Sequence, residues 1–221
     1  METTISLRTA VRGLGMAVGV YLIANVLMTL LIVRPQLTAT SPDAVTVTPP
    51  TFADTPVSLF TDPANWVSLG GNWSFADGGL VQAQTDGYDF VFLNGVQYSR
   101  QVEITARFQH VTGVGAGIVF NVPNRESTVG GQLVRYVDAS TLVWGYFDPS
   151  QGFVAQGSLG IPNPETNPHS LTVKVGNGVY FIELDGLPVA NAVPLLSAGG
   201  YLGLTTSLAQ VSFTDFTVRS S

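Results

Sequence analysis

The chain has 221 residues, of which 45% are hydrophobic and 11% charged, with a formal net charge of −6, against about 25% charged in ordinary soluble domains. Beyond position 58 the only lysine is Lys174, and Arg100, Arg107, Arg125, Arg135 and Arg219 are scattered among acidic residues. No basic stripe is available for phosphates, which excludes nucleic acid as a partner. The absence of cysteine excludes disulfides, thioether haem attachment, thiolate zinc sites and cysteine nucleophiles.

In chain order, residues 1–13 come first and carry Arg8 and Arg12. Leu14 to Val33 then reads LGMAVGVYLIANVLMTLLIV, without a charge. A helix of that length covers roughly 30 Å, the hydrocarbon thickness of a bilayer. Arg34 follows, and no further lysine or arginine appears until Arg100. The positive-inside rule predicts a cytoplasmic N-terminus, one transmembrane helix over 14–33, and an extracytoplasmic remainder at the plasma membrane. Two alternatives are a cleaved signal peptide, whose apolar region is usually only about 7–15 residues, and a pilin-type leader. For the latter, Val18 stands where a glutamate is expected.

Gly15 and Gly19 form a GxxxG pair, and Leu22, Val26 and Thr29 fall on nearly the same helical face, with Asn25 at its edge. Small residues allow close backbone approach, and the threonine and amide can hydrogen-bond across a contact. The expected partners are membrane lipid and a second transmembrane helix, from the same or another subunit.

Residues 34–58 form a linker. Pro35 to Ser58 holds five prolines and six threonines with few large apolar side chains, which favours an extended stalk. Asn72-Trp73-Ser74 is formally an N-glycosylation sequon. Trp73 is expected to pack inward from a strand there, leaving no glycan.

Residues 59–221 read as short strands. Val102, Ile104, Ala106 and Phe108 alternate with Glu103, Thr105, Arg107 and Gln109, giving one buried and one polar face. Similar runs cover Gly117–Val122, Gln132–Val137, Leu142–Phe147, Leu171–Val175, Val179–Leu184, Tyr201–Thr206 and Val211–Val218. Asp77-Gly78-Gly79, Asn94-Gly95, Asn177-Gly178 and Asp185-Gly186 supply turn signals. The fold class is all-β, an antiparallel sandwich or jelly roll. About 160 residues suffice for its core without disulfides.

Three segments carry a resemblance. Trp73-Ser-Phe-Ala-Asp77-Gly78-Gly79-Leu80 is similar to the W-x-x-x-D-G-x-L opening of concanavalin A-like lectin/glucanase sandwiches. Leu171-Thr-Val-Lys-Val…Phe181-Ile-Glu-Leu-Asp185-Gly186 resembles their V-x-V…L-D-G hairpin. Gly203-Leu204-Thr205-Thr206…Val211-Ser-Phe213-Thr-Asp215-Phe216-Thr-Val218 resembles their closing strands. The resemblance spans about Leu59 to Arg219 and implies a concanavalin A-like sandwich. Its nearest look is the laminin-G-like group called 3-keto-disaccharide hydrolase domains. That group tends to have Asn-Ser-Gly where this chain has Gly115-Ala116-Gly117, and its acidic residue has no clear equivalent around Gly131-Gln132-Leu133-Val134. A fold does not fix an activity.

Glycoside hydrolysis needs two facing carboxyl groups. The nearest approach to the E-x-D-x-x-E strand of glucanases is Glu183-Leu184-Asp185, where Asp185-Gly186 reads as a hairpin turn. The test of an enzyme reading is whether Glu103, Asp138, Asp148 and Glu183 converge. His110 and His169 lie far apart in sequence and read as loop-end residues. For sugar binding, Trp144 and Tyr146 share one side of a strand, with Tyr136 and Gln132 on the preceding strand. Facing outward they would form a stacking platform, and facing inward they are core. Glu103 and Arg107 share the polar face of their strand and could join a binding face or form a surface charge pair. No cofactor is required, although the family resemblance makes calcium a candidate, with Asp62 and Asp215 as first positions.

The expected function is a non-enzymatic, membrane-anchored module recognising a glycan or protein at the cell surface. The alternatives are an accessory subunit held by its helix, and a sugar-processing hydrolase.

Overall fold

The computed structural model describes residues 48–52, 57–60, 62–98, 101–161, 168–197 and 199–220. The chain divides at Thr46, and the second unit, Val47–Ser221, carries the described fold. The Leu14–Val33 segment, with Gly15, Gly19, Asn25 and Thr29, lies outside the described residues. No helix among the described residues is long and apolar enough to cross a membrane.

The unit is an antiparallel two-sheet sandwich. One sheet has eight strands. In spatial order these are β13 (Leu187–Pro194), β12 (Val179–Leu184), β11 (His169–Gly176), β6 (Val102–Thr112), β15 (Gln210–Ser220), β4 (Gly79–Gln82) and β3 (Trp73–Ala76). The eighth, β1 (Val57–Ser58), pairs with the far end of β15. The sheet therefore begins two residues inside the segment read from sequence as linker. The other sheet runs β10 (Gly152–Gly160), β9 (Thr141–Asp148), β8 (Gln132–Asp138), β7 (Gly117–Val122), β14 (Gly200–Ser207), β5 (Tyr88–Tyr98) and β2 (Trp66–Leu69).

Alternation builds the core. From β6, Val102, Ile104, Ala106 and Phe108 point between the sheets and are fully buried, as are Leu171 and Val173 of β11 and Ile118 and Phe120 of β7. Three of the four turn signals close tight hairpins. Asp77-Gly78, Asn177-Gly178 and Asp185-Gly186 each put two successive residues at positive φ, between +52° and +77°, the geometry that matches strand twist and favours Asn/Asp-Gly. Asn94-Gly95 instead lies inside β5. There β5 and β14 lose register between the Tyr201–Gln97 and Gly203–Phe92 pairs, so extra residues bulge without ending the strand.

A second bulge ties the sheets together. Gln156 is the extra residue where β10 slips against β9. Its amide donates to the Pro194 carbonyl at 3.0 Å and accepts from the Tyr180 hydroxyl at 2.9 Å. The edge strands β10 and β13 are thereby joined across the open side of the sandwich.

Candidate functional site

Outward positions of the seven-stranded sheet are not a polar surface. Register aligns Val67, Phe92, Gly203, Val119, Leu133 and Gly145 in one row across six strands. Phe90, Phe92, Val119, Val122 and Leu133 form a second apolar cluster, against which Leu69, Phe147, Phe153 and Tyr201 pack. The Phe90 and Phe147 rings lie 5.9 Å apart although β14, β7 and β8 separate their strands. Four strand spacings are about 19 Å, so the sheet must curve enough for side chains from its two flanks to meet. The hollow is filled by Phe90 stacked on Phe92 at 6.4 Å and Phe147 edge-on to Phe153 at 5.6 Å. Glycines make this possible. A Cβ on Gly203 would come within 2.1 Å of the Val91 carbonyl oxygen and 3.0 Å of the Phe92 ring.

Beside this aromatic floor is an open cleft of about 560 Å³, lined by Val67, Leu69, Pro123, Asn124, Arg125 and Tyr201, together with Ser68 and Glu126. Its wall is the turn after β7. Asn124 bridges Ser127 and its carboxamide oxygen accepts from the Glu126 amide. The Gly130 amide donates to the Phe147 carbonyl at 2.9 Å, fixing the turn to β9. Arg125 lies over the Tyr201 ring at 5.0 Å and donates to the Asn94 carboxamide. A cleft of this volume suits a small ligand, and its mixture of apolar wall, fixed guanidinium and exposed amide and carboxylate suits a hydroxyl-rich one.

The residues singled out from sequence fall elsewhere. Tyr136 and Gln132 are fully buried and Trp144 is 8% exposed. Tyr136 and Trp144 belong to the core between the sheets, while Gln132 accepts from the Asn121 amide at 2.7 Å. Tyr146, on the same side of β9, is half-buried. The outward platform is therefore corrected to its alternative, core, because the face of β9 turned to the surface is that of Val143, Gly145 and Phe147. Glu103 and Arg107 lie on the outer face of the opposite sheet and do not pair. Glu103 accepts from Arg219 at 2.7 Å and sits 4.0 Å from Lys174, while Arg107 is exposed. Lys174 also donates to Glu183 at 2.5 Å.

Of the carboxyl groups named for catalysis, Glu103 and Glu183 share that outer face with Lys174 between them. Asp138 and Asp148 each accept the amide and hydroxyl of the serine two residues on. The four do not converge on a cleft. Asp62 caps the short helix Pro63–Asn65 by accepting from the Ala64 amide at 2.9 Å, and Asp215 lies opposite Arg107 on β15. Among the described residues no three His, Cys, Asp or Glu side chains gather as metal ligands.

The two histidines come into contact with one core side chain. His110 and His169 flank Tyr136 with ring centroids 5.3 and 5.6 Å away. The Gly115 and Ala116 amides donate to His110 Nε2 at 3.2 and 3.1 Å, which leaves the neutral ring's proton on Nδ1. Burial, and secondarily the nearness of His169, pushes the pKa of His110 down to about 4. His169 Nδ1 pairs with Asp185 at 2.8 Å. The same carboxylate accepts from the Ser170 amide at 2.8 Å, so it fixes both the turn and the imidazole.

Sequence reasoning missed the floor and the cleft. A signal existed: Tyr88, Phe90 and Phe92 alternate along β5, and Phe147 and Phe153 end and begin adjoining strands.

No protein-family model matches the chain, and no curated protein does. Solved structures match across the sandwich. The carbohydrate-binding module CBM66 from Bacillus subtilis is 19% identical with a TM-score of 0.62, covering 71% of this chain and 96% of its own. The exoplasmic/lumenal domain of VIP36 in its Ca2+/Man2-bound form is 10% identical with a TM-score of 0.54, covering 71% and 81%. A putative glycosyl hydrolase from Parabacteroides distasonis is 15% identical with a TM-score of 0.51, covering 76% and 100%. At these identities the likeness shows the fold alone, an antiparallel two-sheet β-sandwich. The chain is thus similar in fold both to carbohydrate-binding domains and to a hydrolase-like one.

Proposed function

We propose that this protein is a membrane-anchored glycan-recognition module, held by a helix over Leu14–Val33 and binding its ligand on the outer face of the seven-stranded sheet. The observation that carries the reading is the cleft between β2 and the Pro123–Gly131 turn, where Arg125 is fixed over Tyr201 beside an apolar wall. Fold similarity to a carbohydrate-binding module and to the exoplasmic/lumenal domain of VIP36 in its Ca2+/Man2-bound form supports it. Arg125 and Asn124 would donate to sugar hydroxyls, Glu126 would accept from them, and Leu69 and Pro123 would contact the ring's apolar patches.

The test is a glycan array probed with the full chain in mild detergent, with and without calcium, since a neighbouring fold was solved with that ion bound. Saccharide binding weakened at least tenfold by Arg125→Ala and by Tyr201→Ala, which removes the support under the guanidinium, is the expected result. Tenfold corresponds to about 1.4 kcal/mol. No saccharide bound, or binding indifferent to both substitutions, would reject the cleft as a glycan site.

A further inference from the structure

The described cations differ in burial and partners. On the eight-stranded sheet, Arg219 and Lys174 are paired with Glu103 and Glu183, and Arg107 is exposed to solvent. On the outer face of the other sheet, Arg135 is 9% exposed, and no carboxylate among the described residues lies within ion-pair distance of it. Its Nε is buried without an acceptor. Its polar neighbour is the Tyr88 hydroxyl, a neutral group, and the guanidinium lies 4.9 Å from the centroid of the Tyr88 ring and 5.8 Å from that of Phe153. Gly117 stands directly opposite Arg135, and a Cβ there would lie 2.4 Å from the Arg135 Cβ, so the neighbouring strand is bare where the arginine needs room. Burial lowers the pKa of this guanidinium, yet an arginine starts high enough to keep its proton at neutral pH.

A desolvated cation without a counter-charge is costly, and it is tolerated where something supplies the charge. We infer that the ligand of this face carries an anionic group, a carboxylate or sulfate on a sugar, which Arg135 receives in its planar fork. This rests on the glycan reading above and adds the charge of the glycan to it. The guanidinium geometry matches such groups bidentately. The Phe153, Phe147 and Phe90 rings lead stepwise from Arg135, and Leu69, packed against the same cluster, lines the cleft. Tyr88, 59% exposed, lies over the guanidinium, so the ligand would have to displace that side chain to reach it. The chain's net charge of −6 would repel anions at long range, so attraction has to be local, and it weakens with salt only modestly when the pair is buried.

The experiment uses the full chain in mild detergent on an array of carboxylated and sulfated saccharides, each printed beside its neutral parent or methyl ester. The expected result is at least tenfold tighter binding of an acidic member than of its neutral partner. Arg135→Gln should remove that preference, and Arg135→Lys should retain part of it. Carboxylated against sulfated members distinguish the two sources of charge. Equal binding within pairs overturns the inference on the wild-type chain alone, whether or not Arg135→Gln folds. If neutral saccharides bind through Arg125 and Tyr201 with no charge preference, glycan recognition stands and the anion site fails. If nothing on the array binds, both fail.

Discussion

His110 shows how a single side chain couples the core to pH. Its Nε2 accepts two backbone amides, so protonation would turn an acceptor into a donor facing donors. Its folded pKa of about 4 lies below the ordinary 6.5, so the unfolded chain takes up the proton first as pH falls. The contribution of His110 to stability is fully present above about 6.5 and is lost between there and about 4. Urea midpoints measured across that window should decline in the wild type and decline less steeply in His110→Gln. Equal slopes would mean that the imidazole is not held neutral. A second expectation concerns Phe92, which is fully buried although it faces away from the core between the sheets. Phe92→Ala should cost about 3–5 kcal/mol in denaturant unfolding, as for a core phenylalanine. A loss under about 1 kcal/mol would show that the outer hollow is open rather than packed.

At the scale of elements, the β12–β13 hairpin is fixed twice. Asp185 and Gly186 have φ of +52° and +77°, and the Asp185 carboxylate holds both His169 and the Ser170 amide. Gly186→Ala meets nothing within 4 Å, so its cost is backbone strain alone, about 1 kcal/mol. Asp185→Ala should cost about 1–3 kcal/mol in urea unfolding, because the His169 imidazole and the Ser170 amide both lose their acceptor. A loss under about 0.5 kcal/mol would show that the carboxylate holds neither group. These turns were legible in sequence because Asn-Gly and Asp-Gly satisfy a local backbone need. Asn94-Gly95 carried the same signal but falls in the bulge of β5, and the strand continues because residues before and after the bulge both pair with β14. The strands β2, β5, β10 and β13 went without a run of their own in the sequence: β2, β10 and β13 are sheet edges that alternate less clearly, and β5 is interrupted by its bulge.

For the whole molecule, the two outer faces have opposite chemistry. One carries the Arg219–Glu103–Lys174–Glu183 network, the other the aromatic floor with Arg125 and Arg135. The proposed binding surface is on the second. The proposed anchor predicts that the full chain stays with membranes through alkaline carbonate washing, and that a chain lacking Met1–Thr46 does not. Release of the full chain by the wash would reject the anchor.

By itself the sequence determined the two-residue alternation, the Asp-Gly and Asn-Gly turns and hence the antiparallel sandwich, since these depend on neighbours a few residues apart. It could also show that Trp144 and Tyr146 share a side, because period two fixes relative facing. Which side was inward depended on the register between β8, β9 and β10 and on the bulge at Gln156, and on packing against a second sheet distant in the chain. The same holds for His110 and His169, brought together only because β6 and β11 pair. Curvature is the furthest from sequence. It needs the five adjacent strands β5, β14, β7, β8 and β9 and the glycines among them to bring Phe90 to Phe147, and only then do the floor, the cleft and the ring-lined seat of Arg135 exist.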